Sequence, residues 1–151
     1  MTDAAEAGDN WIEDFVPYRL YRVTNRLNAK LLSRLKSIRI NPSQWRVLSV
    51  LRAYGVLNIG QIADLTLMEQ PTVSRVVAQL EGKGGLTRRP SAADARVTEV
   101  ALTAKGVEAF EHIIPTALRH QQLAFEGFSA KELETLKKLL SKIEQNIESY
   151  D

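Results

Sequence analysis

The sequence predicts a mainly α fold, six helices with one two-stranded β-hairpin between the fourth and the fifth. Three observations predict it. Apolar residues recur at helical spacing along most of the chain, and residues that cap helices stand where those stripes begin. One short stretch around a Pro-Ser-Ala-Ala turn alternates with a period of two instead.

The first helix is read from Trp11 to Ile38, where Phe15, Leu20, Val23, Leu27, Leu31 and Leu35 form the stripe and Pro17 sets a boundary or kink near its start. Asn41-Pro42-Ser43-Gln44 starts the second: Asn41 caps, Pro42 suits the first turn and Gln44 completes a box-like pattern. Trp45, Val47, Leu48 and Leu51 are its buried side, and Gly55 ends it. Asn58 caps a short third helix carrying Ile59, Ile62, Ala63 and Leu65. Pro71 opens the fourth, whose Val73, Val76, Val77 and Leu80 fall at i, i+3, i+4 and i+7, and Gly82, Gly84 and Gly85 close it.

Leu86 to Arg89 and Val97 to Leu102 are the two strands. Thr103 caps the fifth helix, which runs through Val107, Phe110, Ile114 and Leu118. Ser129-Ala130-Lys131-Glu132 is a capping box before Leu133, Leu136, Leu140, Ile143 and Ile147 of the sixth.

At 151 residues the chain suits one domain, and a chain of this length buries roughly 70% of its unfolded surface, so it needs no staple. Hydrophobic residues at 44% and charged residues at 25% argue against disorder. There is no cysteine, which removes disulfides, thiolate metal sites and thiol redox sensing. No apolar run approaches the roughly 18 residues of a membrane span. Met1 to Asn10 is acidic and polar, unlike a secretory leader. A soluble, cytoplasmic protein is expected.

Net charge is +2, but it is unevenly placed. Arg19, Arg22, Arg26, Lys30, Arg34, Lys36 and Arg39 follow one another without an acid. A second basic stretch holds Arg75, Lys83, Arg88, Arg89 and Arg96 against Glu81 and Asp94. Local basic concentrations suit a surface that meets a polyanion, and equally suit solvated helix faces.

Two short helices joined by a tight connection and followed by a hairpin form a winged helix-turn-helix. Opposite the apolar stripe, the fourth helix shows Ser74, Arg75, Ala78 and Gln79, flanked by Thr72 and preceded by Gln70. Short polar groups with one guanidinium suit a helix entering a major groove, and first-turn amides near Pro71 and Thr72 favour a phosphate. The same face also suits an ordinary amphipathic surface helix. At the hairpin tip, Arg88, Arg89, Asp94 and Arg96 stand with almost nothing apolar among them. An arginine there reaches a minor groove, and Asp94 is placed to hold Arg96 by a bidentate pair; a solvated surface ion pair is the plainer alternative.

With those residues in view, Asn41 to Gly106 resembles the multiple antibiotic resistance regulator (MarR) family of bacterial winged-helix transcription factors. Gln44-Trp45-Arg46-Val47-Leu48 resembles the family's second-helix signature. Pro71-Thr72-Val73-Ser74-Arg75 resembles the opening of its recognition helix, and Leu80-Glu81-Gly82-Lys83-Gly84 its exit. Asp94-x-Arg96 with Val100, Leu102, Thr103 and Gly106 is similar to its wing signature. Gly85 departs from the large apolar residue usual there, which leaves the start of the wing with less side chain to anchor it.

The resemblance implies a repressor working as a homodimer on a pseudo-palindromic operator, with the first, fifth and sixth helices of both chains interleaved. Residues 41–102 would then be the DNA-binding region, and residues 1–40 and 103–151 the dimerisation helices of one domain. By position, Thr72, Ser74 and Arg75 contact the major groove, with Gln70 and Gln79 in the same DNA-binding set. Arg96 reaches the minor groove, oriented by Asp94, while Arg88 and Arg89 touch the backbone. Family members are often released by small phenolic or carboxylate effectors. Here Arg19 or Arg22, with Tyr18 and Arg46, is the candidate set for such an anion; a solvated basic face is the alternative.

An enzyme finds little support: there is no P-loop, GxGxxG or GxSxG. His112 and His120 stand more than two helical turns apart, and Glu108 with His112 is a surface pair before it is a metal site. No cofactor or metal is expected. Two further readings use the same fold: a ligand-independent, weakly specific DNA-organising protein, and a winged helix whose basic tip meets an acidic protein.

Overall fold

The structure, a computed structural model, describes residues 10–150; the acidic segment before Asn10 lies outside the described residues. The chain divides into two compact units, one up to Ala117 and one from Leu118. No helix among the described residues is long and apolar enough to cross a membrane.

Seven α-helices are present among the described residues, not six, because the first expected helix is cut in two. α1 (Trp11–Asp14) is a single turn, and α2 (Val16–Leu35) restarts after an extended Phe15. Pro17 fits the break: it sits in the first turn of α2, where no helical partner is lost, and it has no N–H to give the Glu13 carbonyl. A 3-10 turn, Lys36–Ile38, then leads to Arg39 in the left-handed conformation (φ 56°).

α3 (Pro42–Tyr54) begins with a full capping box. The Gln44 amide donates to Asn41 Oδ1 at 2.8 Å, and the Asn41 amide donates to Gln44 Oε1 at 3.3 Å. Gly55 ends the helix with a φ of 81°, a region that L side chains adopt only under strain. α4 (Ile59–Thr66) repeats the capping box through Asn58 and Gln61. A tight turn through Leu67 connects it to α5 (Gln70–Gly82).

The sheet has three strands in the order β1-β3-β2, all antiparallel. β2 (Leu86–Pro90) and β3 (Thr98–Leu102) are the expected hairpin, with Leu86 opposite Leu102 and Arg88 opposite Val100. β1 (Leu57–Asn58) is an addition, pairing Leu57 with Val100 just before α4. Two residues are too few to show a period, so only the partner strand reveals it.

The core of the first unit is packed from α3, α4, α5, the sheet and the end of α2: Leu35, Val47, Ile62, Val73, Val77 and Val100 are fully buried. α6 (Ala104–Ala124) starts in this unit, where Ile113 joins the core and Phe110 stacks on Trp45 with ring centroids 5.4 Å apart. Thr103 caps it as expected, its Oγ1 accepting from the Gly106 amide at 3.1 Å. α6 passes through Pro115 without ending and crosses into the second unit. That unit contains α7 (Ala130–Ser149), begun by Ser129, whose Oγ accepts from the Glu132 amide at 3.1 Å. Leu139, Leu140, Ile143 and Ile147 on α7 are all exposed.

Candidate nucleic-acid interface

α5 is oriented by its valines. Val73, Val76, Val77 and Leu80 lock into the core, and the 3.6-residue period then turns Gln70, Ser74, Arg75, Ala78 and Gln79 outward, with Thr72 half-buried at the edge. Arg75 has no acidic partner among the described residues. The start of α5 differs from the starts of α3 and α4. Glu69 occupies the capping position without a side-chain hydrogen bond, so no side chain satisfies the first-turn amides, including that of Thr72.

The wing's base is held by backbone bonds that compensate for the missing side chain of Gly85. The Gly85 amide donates to the Leu80 carbonyl at 2.9 Å, and the Gly85 carbonyl accepts from the Thr103 amide at 3.0 Å. Thr103 Oγ1 also donates to the Gly84 carbonyl at 2.6 Å. Gly85 is buried against Gly106, and a Cβ on Gly106 would collide with the Gly85 carbonyl oxygen. The two glycines allow the start of α6 to lie directly on the start of β2.

Arg88 and Arg89 lie on β2 rather than at the tip, and each has an acidic partner. Arg88 reaches back to the end of α5, where Nη2 and Nε donate to the two Glu81 oxygens at 2.8 and 3.1 Å. This bidentate pair holds the Glu81 carboxyl below its usual pKa and raises that of Arg88. Arg89 Nε donates to Glu99 Oε2 across the hairpin at 3.4 Å. Both pairs lie at the surface, where solvent screens them and they add little to stability.

At the tip, Arg96 Nε and Nη2 donate to Asp94 Oδ1 and Oδ2 at 3.1 and 3.2 Å, and the Arg96 amide donates to Oδ1 at 3.0 Å. The bond from the Arg96 side chain, then that from its amide, lowers the Asp94 pKa. Arg96 nonetheless leaves 91% of its side chain exposed. The bidentate geometry expected from the Asp94-x-Arg96 spacing is therefore present, with the guanidinium gripped along one edge and open on the other.

The effector candidates all lie in the first unit. Arg22 Nη1 donates to Glu13 Oε2 at 3.2 Å, and its guanidinium sits 5.7 Å from the Tyr18 ring centroid. Arg19 on α2 is exposed, and Arg46 on α3 is half-buried. Pairing between Glu13 and Arg22 was not legible beforehand, because the break at Phe15 sets how α1 meets α2. Among the described residues no group of three His, Asp or Glu side chains is placed to hold a metal.

The sequence profile of the MarR family matches residues 40–98. A MarR-family transcriptional regulator from Silicibacter pomeroyi is 33% identical, aligned over 91% of this chain and 92% of its own, with a TM-score of 0.82. BpsR of Bordetella bronchiseptica, whose DNA binding is regulated by 6-hydroxynicotinic acid, is 27% identical over 85% of this chain and 98% of its own, with a TM-score of 0.77. The transcriptional repressor IacR of Pseudomonas putida is 28% identical over 137 residues, 91% of this chain and 82% of the relative. Helix order, the winged helix-turn-helix and this likeness over nearly the whole length agree: the chain belongs to the MarR family of non-enzymatic, DNA-binding transcriptional regulators.

Proposed function

We propose that this regulator is a repressor, acting in the bacterial cytoplasm as a homodimer on a pseudo-palindromic operator and released by a small aromatic or carboxylate effector. The observation that carries the reading is the outward face of α5, where Ser74, Arg75 and Gln79 are exposed while the valines beneath are buried. Residues 41–102 are the DNA-binding region in this reading, and residues 1–40 and 103–151 the dimerisation helices. Thr72, Ser74 and Arg75 enter the major groove, with Gln70 and Gln79 at the two ends of the face. The uncapped start of α5 suits a phosphate. Arg96 enters the minor groove, its free edge toward the DNA and its other edge on Asp94. Arg88 and Arg89 exchange Glu81 and Glu99 for backbone phosphates.

The exposed leucines and isoleucines of α7 support the dimer, since an apolar stripe of that extent marks an interaction surface. Two-fold pairing places the recognition helices about one DNA turn apart. For the effector, Arg19 and Arg46 are the cations of the candidate set that Glu13 does not engage, and Arg22 and Tyr18 complete the anion site. The relative regulated by 6-hydroxynicotinic acid supports an aromatic acid as the class.

Fluorescence anisotropy on a duplex from the gene's own upstream region, beside a scrambled duplex and across a salt series, tests the reading. Expected is a preference of roughly a thousandfold or more for the upstream duplex, with a symmetric footprint. Equal binding to both would favour the DNA-organising alternative, and no binding at low salt would overturn the DNA-contact assignment.

A further inference from the structure

Gln79 stands on the DNA-facing side of α5, and its amide is not free to turn. Gln44, at the start of α3 and only 5% exposed, donates from Nε2 to Gln79 Oε1 at 3.4 Å. What sets the direction of that bond is the helix cap. The Asn41 backbone amide can only donate, and it donates to Gln44 Oε1 at 3.3 Å. With its oxygen claimed by the cap, Gln44 turns its NH2 toward Gln79, which must answer with its own oxygen. The Gln79 NH2 is then left on the exposed face, one helical turn beyond Arg75.

We infer that Gln44 is a positioning residue for DNA recognition: through the relay Asn41 N–H, Gln44, Gln79, it makes the outer end of α5 a hydrogen-bond donor. Gln79 therefore seeks an acceptor on the DNA, either a guanine or thymine edge in the major groove or a phosphate oxygen. A glutamine free to rotate pairs with adenine through both amide ends; this one has its oxygen turned inward. The inference rests on the reading that α5 faces DNA, and it adds a residue that does not itself touch DNA.

Selection from a random duplex pool, followed by affinity measurement on the enriched sequences, tests it with wild type, Gln44→Glu, Gln79→Met and the double variant. Glutamate is the usual partner in a capping box, so Gln44→Glu keeps the cap while replacing the inward-facing donor by an acceptor. Gln79 then has to reverse its amide and present oxygen. If Gln79 meets a base, one position per half-site changes from guanine or thymine to cytosine or adenine, with a roughly tenfold reversal in relative affinity. If it meets a phosphate, the motif stays the same, and the affinity lost in Gln44→Glu disappears in the Gln79→Met background.

A Gln44→Glu protein with an unchanged motif, and the same affinity change whether or not Gln79 is present, overturns the relay. Gln79→Glu, an exposed change that spares the fold, gives an independent reading, since it removes the outward donor directly; unaltered selection together with unaltered affinity in that variant also overturns the proposal. Wild-type protein that enriches no sequence and binds no duplex at low salt overturns the DNA-facing reading itself, and so is distinguished from a failure of the relay alone.

Discussion

Asp94 holds Arg96 through three hydrogen bonds of 3.0 to 3.2 Å, two to the guanidinium and one to the backbone amide, while leaving 91% of the arginine side chain open to solvent. The carboxylate works as a bracket that gives a long flexible side chain one direction. Arg96→Ala is expected to weaken DNA binding by about 1–3 kcal/mol, and Asp94→Asn by a smaller amount, because the charge remains but its direction is lost. Neither change should lower the melting temperature noticeably, since the pair is exposed. Anisotropy titrations beside thermal melts check both, and an Arg96→Ala protein that binds as wild type refutes the minor-groove role.

The same bracket has a defined pH range. Arg96 lowers the folded pKa of Asp94, so the stabilisation is present above the unfolded value of about 3.9 and is lost as pH falls through the lower folded value. Glu81, lowered by Arg88, behaves alike. Both pairs should therefore persist unchanged from neutral pH down to about pH 5, opening only in stronger acid. Carboxyl-carbon NMR titration reads each group directly; an Asp94 midpoint above that of an unfolded peptide would contradict the bracket.

Gly106 and Gly85 respond to substitution in opposite ways. A Cβ on Gly106 meets the Gly85 carbonyl, which already accepts the Thr103 amide, so relief requires moving the root of the wing. Gly106→Ala should cost at least about 2 kcal/mol in thermal or urea unfolding. A Cβ on Gly85 finds its nearest atoms at 3.5 and 3.7 Å, ordinary contact, and Gly85→Ala should change stability by less than about 1 kcal/mol. Equal effects at the two positions would show that the close approach is not what requires glycine.

Self-association should depend on α7. Ile143 is 36% exposed and Ile147 is 52% exposed on a helix whose opposite side is charged. Ile143→Glu is expected to shift the sedimentation of the protein from dimer to monomer at micromolar concentration, and to cost at least about tenfold in operator affinity through loss of the second half-site. A wild-type protein that sediments as a monomer, or an Ile143→Glu protein that stays dimeric, counts against this surface.

Effector binding should depend on Arg19 more than on Arg22, because Glu13 already neutralises the latter. Calorimetry with a panel of aromatic acids is expected to find a ligand whose affinity falls about tenfold or more in Arg19→Ala and less in Arg22→Ala. Unchanged affinity in both variants would discard the site.

How much of this was legible beforehand depends on distance along the chain. The box at Asn41 and the cap at Asn58 act within four residues, so the letters alone predict them; the structure contains both and adds Gln61 as the reciprocal partner of Asn58. The bidentate grip of Asp94 on Arg96 was equally legible at a spacing of two. The link from Gln44 to Gln79 joins residues 35 apart, and Arg88 finds Glu81 across a helix end and a strand start. Neither partner carries a local signal that points to the other. Even the split of the first helix was half-visible, because Pro17 announced a boundary without saying that Phe15 would be extended.

The sequence by itself determined where helices start and stop and which face of each is apolar, because caps and 3.6-residue periods act within a turn or two. It thereby determined that α5 shows Ser74, Arg75 and Gln79 outward. Tertiary structure alone decided that Arg88 and Arg89 pair with Glu81 and Glu99, that Leu57 lies against Val100 as a third strand, and that Gly106 presses on Gly85. Those outcomes depend on elements brought together by burial of a shared core, a non-local and directionless force, and only then do short-range hydrogen bonds and charges select their partners.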